Sequence, residues 1–517
     1  MRKLSYTRRG IILIFSLVAL VVLIILCLVT LRAGTQSLFD ATRKQRSVIA
    51  ANLAEAGADI AEAYLRSLSS PPSLTGDEVL LYPANGDAIV LAGGECWAEI
   101  SAHPDNATSW RKRYVIRAWG EADLTPDGVY DATERTVLRQ VIMQVGQQSF
   151  ALYSYFTDSE TSAVAGETIW FYGRDRIYGP AHSNDQFHIT WDTSATNPIF
   201  YGTISSAQSS AQWSPRTPAS GQDWRRIADG GASAFTFNVP EIALPSSTDA
   251  QKAAAWGASY GFPTSNGVYL PTVGSTVSAG IYVRGDCTVT FSLESGTNNQ
   301  VVAITRGSTT TTITTDLVNQ RTKYKVGSGT TTTYMGLPNG VIYCTGHITA
   351  MSGTLADNYY SGSAIIRRNA WTVATDVLTE KNITITNNLS YRTPPDSTRP
   401  PTHSSNLRAA TFGAVAESII LSGTPSDMTL NGVFLAGAHN SANGSLYYAG
   451  WNTTKRSDLH VLGGIIQKKR GPVGTFRDNT LQTGYNKDYR YDPRMMNDPP
   501  PYFPTTGQYD VVSWQYK

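Results

Sequence analysis

The sequence predicts a mainly β protein with one long N-terminal α-helix. The helix and a small antiparallel sheet come first, and a right-handed parallel β-solenoid-like domain follows, with a β-sandwich as the alternative. Three observations carry this expectation. Residues 11–31 form an uncharged apolar run, and an alanine-rich helical pattern continues from it. Residues 94–146 contain segments that alternate apolar and polar positions, the mark of half-buried strands. Beyond about residue 150, short aliphatic runs are separated by Gly, Asn, Asp and Ser corners. A content of 44 Gly and 27 Tyr in 517 residues fits a chain of strands and turns.

The apolar run reaches roughly 30 Å as a helix at about 1.5 Å per residue, enough to span a bilayer core. Its only hydroxyl side chains are Ser16 and Thr30. A cleaved signal has a shorter apolar region followed by an A-x-A-like site, which is missing after Leu31, so a permanent anchor is expected. Arg2, Lys3, Arg8 and Arg9 crowd the leading tail (1–10) and favour a cytoplasmic N-terminus, although Arg32, Arg43, Lys44 and Arg46 weaken the asymmetry. The Thr-, Ser- and Gly-rich remainder suits the exterior. The expectation is a single-pass membrane protein with its bulk extracytoplasmic.

Residues 32–70 extend the helix. Ile49, Leu53, Ala56, Ile60, Tyr64 and Leu68 recur at three- and four-residue steps, and Pro71-Pro72 stop the pattern. A bend or break is expected near Gly34. The segments "CWAEISA", "RYVIRAWGEA" and "RTVLRQVIMQVG" then make a small sheet over 74–148.

Residues 149–483 form the solenoid-like domain. "GVIYCTGHITAMSGTL", "NITITNNL" and "MTLNGVFLAG" each read as strand, corner, strand, and Ile342, Ile348, Ile383, Ile385, Leu430 and Val433 are candidates for its inward stack. No fixed repeat length is visible. A short helix is allowed at 249–258, the Thr-rich pieces read as hairpin or edge strands, and 393–405 is a Pro-rich loop. The tail, 484–517, carries Tyr485, Tyr489, Tyr491, Tyr502, Phe503, Tyr509, Trp514 and Tyr516 and is expected to cap the solenoid, with carbohydrate stacking as the other use of these rings.

Composition removes some functions. The formal charge of +2 is more than supplied by the leader's basic residues, so no basic field remains for nucleic acid. The cluster Lys468, Lys469 and Arg470 reads as a solvated corner, with docking of acidic surface glycans as the alternative. Of four cysteines, Cys27 lies in the apolar run, while Cys96, Cys287 and Cys344 lie beyond it. A disulfide between Cys287 and Cys344 is open if the exterior is oxidising, and two buried small hydrophobes are the competing reading.

The densest group of reactive side chains is "GPAHSNDQFH", with His182, Ser183, Asp185 and His188. Two imidazoles and a carboxylate are metal-ligand types, but consecutive turns with polar groups satisfying the backbone explain the same residues. Carboxylates are sparse over 280–470, and the closest pair, Asp376 and Glu380, fits an ordinary turn. No catalytic residue, metal or cofactor is assigned.

The N-terminus also resembles a known family. Arg8-Arg9-Gly10 directly before Ile11 is similar to type IV prepilins and their type II secretion relatives. The resemblance implies cleavage after Gly10 by a prepilin peptidase, leaving Ile11 first. Phe15 stands where major pilins carry Glu, a departure that fits minor pilins. Arg46 and Ala54-Glu55-Ala56-Gly57 resemble minor pilins of the PilX type, whose helix packs on a small sheet and joins a filament core. "IWFYGRDRIYGPAHSNDQFHI", "GVIYCTGHITAMSGTL" and "YRYDPRMMNDPPPYFP" are similar in style to large envelope proteins with a DUF4900-type region behind a PilX-like N-terminus; that likeness brings no chemistry.

The function implied is that of a non-enzymatic minor pilin-like protein in type IV pilus or pseudopilus assembly and surface adhesion. Its partners would be the prepilin peptidase, the membrane, other pilins or pseudopilins through the helix, and surface glycans. Two other readings stand beside it: a static envelope protein with a simple signal anchor, and a β-solenoid enzyme acting on envelope polysaccharide.

Overall fold

The structure, a computed structural model, describes residues 6–68, 71–72, 74, 76–107, 112–123, 136–164, 166–193, 196–361, 364–396, 399, 403, 406–423, 425–439, 443–477 and 480–517. Side chains are described from Ile12 onward, Asp105 and Ala107 excepted. The chain divides into two compact units, Met1–Gln147 with Gln508–Lys517, and Gln148–Gly507. The second is therefore an insertion, in sequence, within the first.

The first unit is built on one helix, Tyr6–Ser67. It runs without interruption through Gly34, where the sequence suggested a bend or break. A lone glycine keeps its backbone hydrogen bond and costs only about 1 kcal/mol against alanine. The buried face is Ala50, Leu53, Ala54, Gly57, Ala58, Ala61 and Leu65. Of the stripe read from the periodicity, Leu53 is on that face, while Ile49, Ala56, Ile60, Tyr64 and Leu68 flank it half-buried.

The reason for the small face is the closeness of the sheet. A Cβ on Gly57 would lie 3.4 Å from Cys96 Cβ, and one on Gly120 would lie 2.2 Å from the carbonyl oxygen of Ala50. That sheet runs in the order Val79–Tyr82, Gly94–Ala102, Arg113–Asp123, Thr136–Ser149, Thr505–Tyr516, with Ile89–Leu91 also paired to Gly94–Ala102. Its helix-facing side chains include Ala98, Ile100, Tyr114, Ile116, Ala118, Val141 and Met143.

The second unit is a parallel β-solenoid. On its first face, ten strands stack in parallel, with Ile281, Ile342, Val373, Ala414, Phe434, Ile465, Tyr155, Ala181, Ile204 and Phe235 in register. A second face aligns Leu389, Leu430, Val461, Tyr489, Ile177 and Phe200, and a third aligns Cys287, Ile348, Ile383, Ile419 and Leu446. The inward residues of all three faces form one core. Ile342, Ile348, Ile383, Ile385 and Leu430 belong to it, whereas Val433 lies in a separate cluster on the other side of the first sheet. Corners need glycine where strands turn tightly. A Cβ on Gly463, whose φ is 144°, would lie 1.9 Å from the Gly432 oxygen one rung away.

The rungs do not follow chain order. The chain joins the stack in its middle at Tyr155, climbs to one end at Phe235–Thr236, crosses to the other end at Ile281–Arg284, and returns to the middle at Lys455–Arg470. There Ile465 pairs with Tyr155. The strand Thr480–Arg490 then slots between Lys455–Arg470 and Arg176–Tyr178 on the second face. One rung is thus composite, built from both ends of the inserted segment.

The first sheet is covered on both sides, which is why its strands read as unbroken apolar runs. Its back is packed by Phe150, Tyr153, Ala255 of the helix Asp249–Trp256, Met495 and Phe503. At the Ile281 end, an antiparallel meander closes the stack: Cys287–Leu293, Gln300–Arg306, Thr309–Asp316, Arg321–Val326 and Thr332–Met335. At the other end Trp213, Trp224 and Phe235 pack ring against ring at 5.1–5.6 Å. The tail 484–517 divides three ways: into the composite rung, across the back of the first sheet, and into the sheet of the first unit.

Candidate functional site

The anchor helix is the first candidate. Among the described residues, Ile12–Ser67 is the one helix long and apolar enough to cross a membrane. Its apolar residues stand out from the protein, Phe15 at 72 % exposure and Leu31 at 70 %, and exposure continues through Leu38 and Phe39. The hydroxyls inside this stretch are satisfied by the helix itself: Ser16 donates to Leu13 O at 2.8 Å and Thr30 to Leu26 O at 2.9 Å. Residues 1–5, and the side chains of residues 6–11 including Ile11 next to Gly10, lie outside the described set. Further along, Arg46 reaches Asp123 at 4.0 Å and Glu55 accepts a hydrogen bond from Tyr516. Gly57 faces the sheet, where a Cβ would lie 3.4 Å from Cys96 Cβ and 3.5 Å from Ala118 Cβ.

The structure does not gather His182, Asp185 and His188 into a donor set. His182 lies on the back of the first sheet, stacked on Phe156 at 5.1 Å, and is essentially buried. Its Nε2–H donates to Asn184 Oδ1 at 3.0 Å, because that oxygen also accepts the Ile242 N–H; Nδ1 accepts from Ser205 at 2.9 Å. Burial pushes the imidazole pKa down, so it stays neutral. Asp185 accepts the N–H groups of Glu160 and Gln186 at 3.0 and 2.7 Å, a turn-fixing role. His188 sits on another face, edge-on to Trp170 at 5.3 Å. Cys287 and Cys344 do meet: their sulfurs are 3.6 Å apart, buried, as two thiols.

Rung stacking brings together residues the sequence keeps apart. Asp427, Asp458 and His460 place ligand-type atoms within 4.8 Å of one another, the one such group among the described residues. Their partners are already local: Asn486 donates to Asp458 at 2.9 Å, and His460 Nδ1 lies 2.9 Å from Asp488. Beside them a cleft of about 300 Å³ is lined by Pro395, Asn431, His460, Asp488 and Arg490. A second, of about 460 Å³, is lined by Asp158, Asn184, Glu241, His439 and Lys468, where Lys468 pairs with Asp158 at 2.5 Å.

The cluster at 468–470 corrects the sequence expectation of a solvated corner. Arg470 is buried and paired to Glu160 at 2.9 Å, with side chains 2 % and 0 % exposed. Lys487 is likewise paired to Asp175 at 2.7 Å, side chains 9 % and 1 % exposed. Both pairs lie where the returning chain meets its own beginning. No sequence signal announces them, since the partners are some three hundred residues apart and no repeat period links them.

Residues 113–209 match the family model of a domain of unknown function, DUF4900. No curated protein matches the chain, and no solved structure does. The DUF4900 segment starts in the sheet of the first unit, at the strand Arg113–Asp123, and ends beyond the solenoid strand Ile204–Ser206. It includes Glu160 and Asp175, together with His182, Asp185 and His188, whereas Arg470 and Lys487 lie outside it.

Proposed function

We propose that this protein is a membrane-anchored, minor pilin-like structural protein that takes part in type IV pilus or pseudopilus assembly and presents its solenoid at the cell surface. The carrying observation is the helix Tyr6–Ser67: apolar and uncovered over its first half, docked by an alanine face onto an antiparallel sheet over its second. In this reading the N-terminus is cytoplasmic and the bulk extracytoplasmic. A prepilin peptidase cuts after Gly10, and the uncovered apolar stretch packs against the helices of other pilins or pseudopilins. The inserted solenoid offers a broad surface for adhesion, with surface glycans as ligands. The reading assigns no catalytic residue, cofactor or metal.

Mass spectrometry of the protein from membranes tests it, with an N-terminus at Ile11 expected. Recovery of intact Met1 from cells with an active prepilin peptidase would overturn it. A static signal anchor shares the same uncovered helix and makes a different forecast for Gly10: its replacement leaves surface display unchanged, whereas the pilin-like reading expects loss of processing and assembly.

A further inference from the structure

Lys487 and Asp175 face each other inside the solenoid at the composite rung. Lys487 is on the strand Thr480–Arg490, Asp175 directly precedes the strand Arg176–Tyr178, and 312 residues separate them in sequence. Nζ lies 2.7 Å from Oδ2, and neither side chain has appreciable access to water. Phe476 lies 5.7 Å from Nζ, ring centroid to nitrogen, and the neighbouring Tyr489 is buried.

As an ion pair this contact is poorly built. Oδ2 takes both the lysine and the Tyr172 N–H at 3.2 Å, while Oδ1 is buried with no hydrogen-bond partner among the described residues. A buried carboxylate with one bare oxygen carries an uncompensated desolvation cost. Burial, outweighing the attraction of Asp175, pushes the Lys487 amine toward its neutral form. A neutral amine held against a carboxyl group in a dry site has the approach and the high effective concentration that acyl transfer requires.

We infer that Lys487 and Asp175 join in an intramolecular amide bond that fastens the two ends of the inserted segment. The step balances without a co-reactant. One ammonium proton passes to the carboxylate, giving amine and acid. The Nζ lone pair forms the bond to Cγ. The C–O bond to the hydroxyl breaks, and the hydroxyl leaves with a second amine proton as water. Nothing is oxidised or reduced. The remaining carbonyl oxygen can keep the Tyr172 N–H, and the bare oxygen is gone. The bond converts a seam held by sheet pairing into a covalent one, and it does not depend on the pilin-like reading.

Peptide mapping of the detergent-extracted full chain, denatured and digested with trypsin, tests the inference. The expected species is residues 478–490, uncut after Lys487 and carrying the dipeptide 175–176, lighter than the two peptides together by one water. Cleavage after Lys487 with both peptides linear and at full mass would overturn it, and this reading needs no variant to fold. In Lys487→Arg the branched species must vanish; its persistence would also overturn the assignment.

Discussion

Arg470 Nη1 sits 2.9 Å from Glu160 Oε2, both side chains out of water, with 310 residues of chain between them. The pair is fully dressed. Arg470 also donates to Ile169 O at 2.8 Å and lies over the Phe171 ring at 3.8 Å, while Glu160 accepts from Thr157 and from Tyr155. A slip of one rung or one residue would leave both charges buried and unpaired. The pair therefore favours one register at the joint where chain order gives no guidance.

Removing one partner should be worse than removing both. Glu160→Gln leaves a buried guanidinium without its counter-charge, a loss of about 3–5 kcal/mol. The apolar double variant Glu160→Leu with Arg470→Met should lose clearly less than the two single losses together. Denaturant unfolding of the unaltered protein, Glu160→Leu, Arg470→Met and their double variant measures this, and strictly additive losses would show that the pair does not act as a unit.

Close approach of helix and sheet makes a second forecast. Gly120→Ala puts a methyl 2.2 Å from the Ala50 oxygen and close to Leu53. The strain should cost about 1–3 kcal/mol and open the first unit to protease. Gly34→Ala, whose Cβ meets nothing within 4 Å, should leave that unit's protease resistance unchanged. Equal sensitivity of the two variants would contradict the docking described.

Much of this architecture is legible in the residues. The periodic run after the anchor marks a helix, the likeness of Arg46 and Ala54-Glu55-Ala56-Gly57 to minor pilins implies that it docks on a sheet, and Ile342, Ile348, Ile383, Ile385 and Leu430 are inward as the strand-corner-strand reading expects. The buried helix face departs from the periodic stripe except at Leu53, because periodicity favours large apolar side chains whereas backbone proximity selects Ala50, Ala54 and Ala58. The order of the rungs is hidden for a different reason. Stacking partners such as Ile465 and Tyr155 are set by where the chain returns, and neither residue carries a mark of the other. Arg470 reads as solvated beside Lys468 and Lys469 for the same reason: its partner Glu160 lies in another part of the sequence.

Glu417 should make the solenoid less stable as pH rises from about 4.5 to about 7. Burial first, and then the charge of Glu380, push its pKa up to about 7 from an ordinary 4.5. The unfolded chain releases this proton at lower pH than the folded one. The stabilisation is therefore complete below about pH 4.5 and is lost as pH rises through about 7. At about 1.4 kcal/mol per unit the swing is on the order of 3 kcal/mol. Glu417→Gln should flatten the fall in melting temperature between pH 5 and pH 8. An unchanged pH profile in that variant would remove Glu417 as the cause.

Cys287 and Cys344 supply the last forecast. Their sulfurs, 3.6 Å apart, belong to neighbouring rungs at the end of the solenoid closed by the meander, and the 57-residue separation encloses that meander. The hydrogen bond to the partner thiol, and then burial, push the Cys287 pKa far up, so once folded this thiol is unreactive toward alkylation. In an oxidising exterior the bond should form during folding, with an external disulfide reduced to two thiols as electron acceptor. Loop closure of this length is worth about 4 kcal/mol. Protein taken from the cell envelope and alkylated under denaturing conditions before reduction should leave Cys287 and Cys344 unlabelled and label Cys96, whose environment offers no partner sulfur among the described residues. Full labelling of all three would establish that the end rungs are held by packing alone.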